Sequence, residues 1–408
     1  MPGAGNPVDP AHARRAGCQD ARVNPEEVGA FIAPDYYESL ARLRREEPVR
    51  QYAPNAWTVA RYAEVRDISR DPERFCSGRG VLVNDPLRTG GEIQGSILHM
   101  DPPEHAPWRK LTSRRFTPRA VIDTEPAVRR VVRDLLDALP RDASVDFVDA
   151  VAAPFPVLVI ADLLGVSGPD RAEFRRWSDA TIESPDHPGE RLADMAELYE
   201  FLIAHVKARR TEPRDDLVSL LATAEVDGRP LSTREAVTYV LSLLIAGNET
   251  TRHLTSGSVI ALAEHPDQRA RLAADPTGIP AAVEECLRWV TPIQAFGRTA
   301  TRATELAGQS IAEGDFVVML YASANRDEMA FGPTADRFDV ARRPDHQHMA
   351  FGFGEHLCLG AALARLEARV LLEELLARFP TYEIAGAPTW IASTLVRGVS
   401  ALPVHLSP

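Results

Sequence analysis

Between Ser232 and Pro266 nothing in the sequence stops a helix, and this single run constrains the chain more than any other feature. Ser232-Thr233-Arg234-Glu235 forms a capping box at its start. The serine hydroxyl and the glutamate carboxylate each satisfy a backbone N–H that the first helical turn leaves free. At 1.5 Å per residue the helix runs about 50 Å, enough to cross a whole domain, so the rest of the fold has to be built around it. The chain has 408 residues. A single core stops growing at roughly 250 to 300 residues, so either two domains or one unusually large fold is expected.

The remaining pattern is mostly helical. Residues 1 to about 30 are rich in Pro, Gly, Ala and Arg without periodicity and are read as a loosely held arm, leaving 31–408 as one domain. From Asp35 a helical pattern runs through Tyr36, Leu40 and Leu43 to Pro48, and Val49 to Tyr52 with Trp57 to Val59 read as a hairpin. Phe75 to Met100 reads as a long loop, a type that is often functional. Helical periodicity then dominates from His105 to about Glu264, with breaks at Pro118, Pro140, Pro154, Gly165, Pro188, Pro213 and Gly228. A helix after Pro280, β-prone pieces at Phe296 to Thr301 and Phe316 to Tyr321, a meander, a helix from Ala361 to Phe379 and terminal strands complete the chain. The expected class is mainly α with small β-sheets, a β-rich lobe beside a helical lobe.

Composition narrows the function. A formal charge of −12 opposes non-specific nucleic-acid binding, which needs a surplus of Lys and Arg over phosphate. Cys18, Cys76, Cys286 and Cys358 are widely spaced and form no C-x-x-C pair, so a disulfide framework is not expected. The start lacks the blocks of a signal peptide and no apolar run is long enough for a membrane span, so the expected location is the cytoplasm.

Three glycines surround one cysteine in Phe351-Gly352-Phe353-Gly354-Glu355-His356-Leu357-Cys358-Leu359-Gly360, directly before a helix. Glycines permit a tight turn, and a thiolate there gains from backbone N–H groups and the positive helix end, which are expected to lower its pKa. Gly360 is expected to let backbone approach the sulfur. A buried structural cysteine in a glycine-rich turn is the other reading. The decapeptide matches Phe-Gly-x-Gly-x-His-x-Cys-x-Gly at every specified position, and so resembles the haem-binding signature of the cytochrome P450 family. Chance would produce such a match on the order of a few times per million chains of this size. The resemblance implies the cytochrome P450 fold, a long central helix over a buried haem b, with Cys358 as the axial thiolate that favours O–O cleavage. It also implies that Phe351 shields the sulfur and that His356 donates to a haem propionate.

Other segments fit the same resemblance. Glu285 and Arg288 lie at i, i+3 on one helix face, a spacing that is ordinarily surface decoration. In the family a Glu-x-x-Arg pair locks to an arginine of the meander, and Arg337 in Asp336-Arg337-Phe338-Asp339 is the expected third member. Within the long helix, Ala246-Gly247-Asn248-Glu249-Thr250-Thr251 lowers helix propensity and reads either as a packing notch or as the family's oxygen-binding groove. As a groove, Ala246 leaves room for dioxygen, Thr250 hydrogen-bonds there and Glu249 relays protons. Haem propionates need cationic partners, and His105 with Arg109, Arg298 and His356 are the candidates.

Arg109, Lys110, Arg114, Arg115 and Arg119 make a basic stretch in an acidic chain. It is either a solvated face or a dock for an acidic ferredoxin, which with a reductase would bring electrons from NAD(P)H. Ser242, Ile245, Ala246, Ile293, Gln294, Leu395 and Val396, with the 75–100 loop, are expected to line a mainly apolar substrate pocket. A lipophilic substrate of sterol, terpenoid or fatty acyl type follows from likeness to actinobacterial members at Asn248-Glu249-Thr250-Thr251-Arg252-His253. The competing functions are a peroxide-driven peroxygenase, disfavoured by the complete Glu249-Thr250 pair, and a non-catalytic haem-thiolate sensor, which needs neither relay nor basic face. A hydrolase or transferase with Cys358 as nucleophile would need a His base and an orienting acid, and no orienting acid is evident beside His356.

Overall fold

A computed structural model of the chain describes residues 23–140, 142–166, 170–179 and 188–407. Most of the loose arm expected over residues 1 to 30 lies outside the described residues. Of the part that is described, Val23 and Pro25 are buried, Val23 in one cluster with Phe316 and Val318. From Val23 the arm is therefore partly packed, whereas Val28 within it is exposed.

The long helix spans Thr233–Glu264. Its capping box is complete, with Glu235 N–H donating to Ser232 Oγ at 3.1 Å and Ser232 N–H donating to Glu235 Oε2 at 2.7 Å. Around this central helix pack Pro154–Leu163, Pro188–Thr211, Leu217–Ala222, Ile279–Val290 and Ala361–Arg378. Enclosure on several sides explains why its buried residues do not form a single stripe but include Val237, Val240, Leu244, Leu254 and Val259. Among the described residues no helix is long and apolar enough to cross a membrane.

The β-rich lobe is a five-stranded sheet in the spatial order Val49–Ala53, Ala56–Val59, Phe316–Leu320, Ala295–Ala300, Phe75–Cys76. Phe316–Leu320 runs parallel to Ala56–Val59 and antiparallel to Ala295–Ala300, with Val317 opposite Arg298 and Val318 opposite Gly297. The Phe316 ring lies where a Cβ on Gly297 would sit, so only glycine fits there. The region between 105 and 264, expected to be mostly helical, also contains the strand Ala143–Asp146. That strand pairs with Pro403–Ser407, which in turn pairs with Thr381–Ile384. A partner some 260 residues away leaves no local trace in the sequence.

Candidate active site

The cysteine turn is held by its own backbone. Gly352 and Gly354 have φ of 68° and 71°, conformations that favour glycine, and Cys358 N–H donates to Phe351 O at 2.8 Å. Cys358 is exposed although its surroundings are dense enough that burial pushes its thiol up, a combination that fits a side chain lining an internal hollow. The Gly360 N–H, Arg109 and Arg365 oppose that rise but do not overcome it. The expected lowering of the thiol pKa is therefore not met by the protein alone: loss of hydration outweighs a few favourable dipoles. A metal cation on the open side would reverse this balance, since a coordinating thiol is deprotonated outright. A Cβ on Gly360 would sit 4.0 Å from the sulfur, an ordinary contact, so its N–H matters here more than its missing side chain. Phe351 is buried beneath the Arg365 guanidinium, 4.6 Å from its ring centre.

The four expected propionate partners come together from three separate segments. The His105 and His356 rings lie 4.3 Å apart, and Arg109 donates to the carbonyl of Leu357. Burial, then Arg298, His105 and Arg109, depress His356 to about 2, and burial with Arg109 and Arg298 likewise lowers His105. The charge here is that of Arg109 and Arg298, beside two imidazoles whose protonation burial disfavours, and the carboxyls of Asp101 and Glu355 face the same groups. His105 Nε2 is buried with no hydrogen-bond partner, which fits the dianionic edge of a haem. Asp101, Glu355 and His356 also bring ligand atoms within 4.8 Å of one another. Both Asp101 oxygens, however, already accept N–H groups, from Ser77 at 2.7 Å and Gly78 at 2.8 Å. His356 shares a hydrogen bond with Ser77 Oγ at 3.1 Å, and nothing places it as a base on the cysteine.

On the central helix, Ile245 is 37% exposed and Ala246 is also exposed, although Leu244 and Asn248 beside them are fully buried. Apolar side chains open in the middle of an enclosed helix mark an interior gap. Thr250 Oγ1 donates to Ala246 O at 2.7 Å, so its lone pairs remain free to accept. Glu249 Oε1 has no hydrogen-bond partner, and His253 Nε2 lies 3.8 Å away, fully buried on the same helix face. Thr251 Oγ1 donates to Glu367 Oε2 at 3.3 Å, joining the central helix to the helix that follows the cysteine. Burial pushes Glu367 up to about 8, which favours its neutral form.

Glu285 and Arg288 form a buried bidentate pair with both contacts at 2.7 Å. The third member is not Arg337. Arg337 is exposed and joins only through its carbonyl, which accepts from Arg288 at 2.9 Å. Arg342 takes the role, with Nε 3.1 Å from Glu285 Oε2, because the turn after Phe338 sends its side chain inward. The expected pocket residues also divide. Ser242 donates to Thr238 O at 2.8 Å, and Ile293 and Leu395 are half-buried. Gln294 is fully buried and accepts from Tyr36 O–H at 2.8 Å, so its side chain is committed to the protein rather than to a ligand. Val396 is 1% exposed and bridges Ile293 through backbone. Of the basic stretch, Lys110, Arg114, Arg115 and Arg119 are exposed, with Arg115 paired to Asp215, while Arg109 turns inward.

Sequence reasoning missed Arg342, His253 and Glu367. The i, i+4 spacing of Glu249 and His253 is a signal that was available. The other two depend on tertiary packing.

Comparison with known proteins gives a consistent picture. The cytochrome P450 family model matches residues 279–388. Erythromycin C-12 hydroxylase of Saccharopolyspora erythraea is 43% identical over 352 residues, 83% of this chain and 86% of that protein. Vitamin D(3) 25-hydroxylase of Pseudonocardia autotrophica is 40% identical over 382 residues, 91% of this chain and 94% of that protein. The structure of Mycobacterium marinum cytochrome P450 CYP268A2 in complex with pseudoionone matches with a TM-score of 0.84 at 37% identity, covering 92% of this chain and 95% of that one.

Proposed function

Because the chain belongs to the cytochrome P450 family and is a haem-dependent monooxygenase that uses dioxygen, we propose that Cys358 would supply the thiolate that holds the haem iron, with a lipophilic small molecule as substrate. The observation that carries this reading is the open cysteine sulfur together with the cluster of His105, Arg109, Arg298 and His356, in which His105 Nε2 is buried without a hydrogen-bond partner. When bound, haem supplies the iron at which dioxygen is reduced and one oxygen atom is passed to a C–H bond. The chain's own residues do the rest. Cys358 Sγ would give charge to the iron, with the Gly360 N–H, Arg109 and Arg365 steadying the thiolate. His105 Nε2, His356 and the two arginines would hold the propionates. Thr250 Oγ1, anchored on the Ala246 carbonyl, orients the distal hydrogen bonding, and Glu249 delivers protons with His253 behind it.

Ile245, Ala246, Ile293 and Leu395 are the apolar groups available to a substrate, which favours a bulky hydrophobic skeleton of sterol, terpenoid or fatty acyl type selected by shape. The relatives named for hydroxylating erythromycin and vitamin D(3) support that class. Exposed Lys110, Arg114, Arg115 and Arg119 suit an acidic ferredoxin whose reductase draws on NAD(P)H, in the cytoplasm. The test is the carbon monoxide difference spectrum of the reduced, haem-loaded protein. The long-wavelength Soret band of a thiolate-ligated complex is expected, and its persistence in Cys358→His would overturn the assignment.

A further inference from the structure

The stretch from Ser77 to Asp101 follows the strand Phe75–Cys76, and two acids, Asp101 half-buried and Asp85 buried, close it like two rungs. Asp101 holds the base through the N–H groups of Ser77 and Gly78. Asp85, 2% exposed, forms the inner rung. Its carboxylate accepts from Val81 N–H at 2.9 Å, Leu82 N–H at 3.2 Å, Leu87 N–H at 3.0 Å and His99 Nε2 at 2.9 Å. Burial alone would raise its pKa, but the backbone donors and His99 hold it below the usual carboxylate range. A carboxylate only accepts, so His99 Nε2 carries the hydrogen. In the neutral ring Nδ1 is then bare and accepts from Ser96 O–H, 2.9 Å away.

The two ends of this chain of bonds belong to different walls. On the Asp85 side, Val81 O accepts from Gly297 N–H at 2.7 Å, which fixes the turn to the strand Ala295–Ala300. On the His99 side, Gly95 lies against the first turn of the central helix, where an added Cβ would come 3.0 Å from Glu235 O. Ile97 and Met100 pack into the main core. His99 thus links Asp85, on the side fixed to the strand Ala295–Ala300, to Ser96, next to the Gly95 that lies against the central helix. Around Gly90 there is open space.

We propose that His99 is a positioning residue that fixes the shape of the substrate chamber by tying Asp85 to Ser96, and so limits which bulky ligands the loop admits. The claim about ligands rests on the function proposed above; the tie itself does not. His99→Ala removes the cross-tie, while His99→Gln keeps an N–H donor near the Nε2 position. Amide hydrogen exchange at Val81, Leu82 and Leu87, with trypsin cleavage at Arg88, reads the tie directly. Loss of a hydrogen bond to a charged group should speed both about tenfold or more in His99→Ala, with substantial recovery in His99→Gln. Unchanged exchange and cleavage in His99→Ala would overturn the proposal.

Chamber shape is read by optical titration of the ferric protein with imidazole and with the bulkier 4-phenylimidazole. The ratio of their affinities should change at least threefold in His99→Ala and return in His99→Gln. A ratio that stays constant while exchange quickens refutes the part in selectivity. If instead the carbon monoxide band is absent in every variant, the function proposed above fails while the exchange result still judges the tie.

Discussion

Replacing Arg342 with alanine should destabilise the protein far more than replacing Arg337, the reverse of what the motif around Asp336 leads one to expect. Arg342 Nε reaches Glu285 Oε2 at 3.1 Å and Oε1 at 3.3 Å, and its Nη2 donates to Thr334 O at 2.7 Å and Arg337 O at 2.8 Å. Its side chain is 8% exposed and that of Glu285 2%. Breaking a buried pair by removing one partner costs about 3 to 5 kcal/mol. Glu285 keeps Arg288 and the Asp339 N–H at 2.8 Å, which places the loss near the lower end, about 3 kcal/mol. With a urea slope of about 3 kcal/mol per molar, the midpoint then falls by about 1 M. Arg337→Ala removes only an exposed side chain and should cost less than about 0.5 kcal/mol. Urea unfolding followed by tryptophan fluorescence compares the two, and an Arg337→Ala shift equal to or larger than that of Arg342→Ala refutes the assignment.

Thr250→Ala should leave the carbon monoxide spectrum intact and divert electrons to hydrogen peroxide, measured as peroxide formed per NAD(P)H consumed. Unchanged coupling would remove Thr250 from the relay. Glu367 gives a pH signature. Its folded pKa of about 8 exceeds the unfolded value of about 4.3, so its stabilising contribution is full below pH 4.3 and is lost as pH rises towards 8. Glu367→Gln, which mimics the neutral acid, should therefore match the wild type near pH 5 more closely than at pH 8, where the variant should be the more stable. Urea midpoints across that range check it, and parallel profiles would show that the carboxyl is ionised in the fold.

Features of fold and site differed in how far the sequence revealed them, according to whether their causes are local. The central helix is legible because a capping box and a downstream proline act on neighbouring residues, and the cysteine turn because Gly352 and Gly354 answer a local demand for positive φ. Ala143–Asp146 is not, since its partner lies near the C-terminus. Three arginines follow Asp336 in the meander, Arg337, Arg342 and Arg343, and only the packed turn decides which one faces Glu285. For Cys358 the local dipoles argue for a lower pKa, but burial is a property of the whole fold and prevails. Gln294, expected to line the pocket, gives no local sign that Tyr36 claims its side chain.

The bond between Cys358 sulfur and iron is the centre of the account, and X-ray absorption at the iron edge of the haem-loaded ferric protein measures it directly. One sulfur scatterer at bonding distance is expected, lost in Cys358→His. An iron shell of nitrogen and oxygen alone in the wild-type protein would contradict the account.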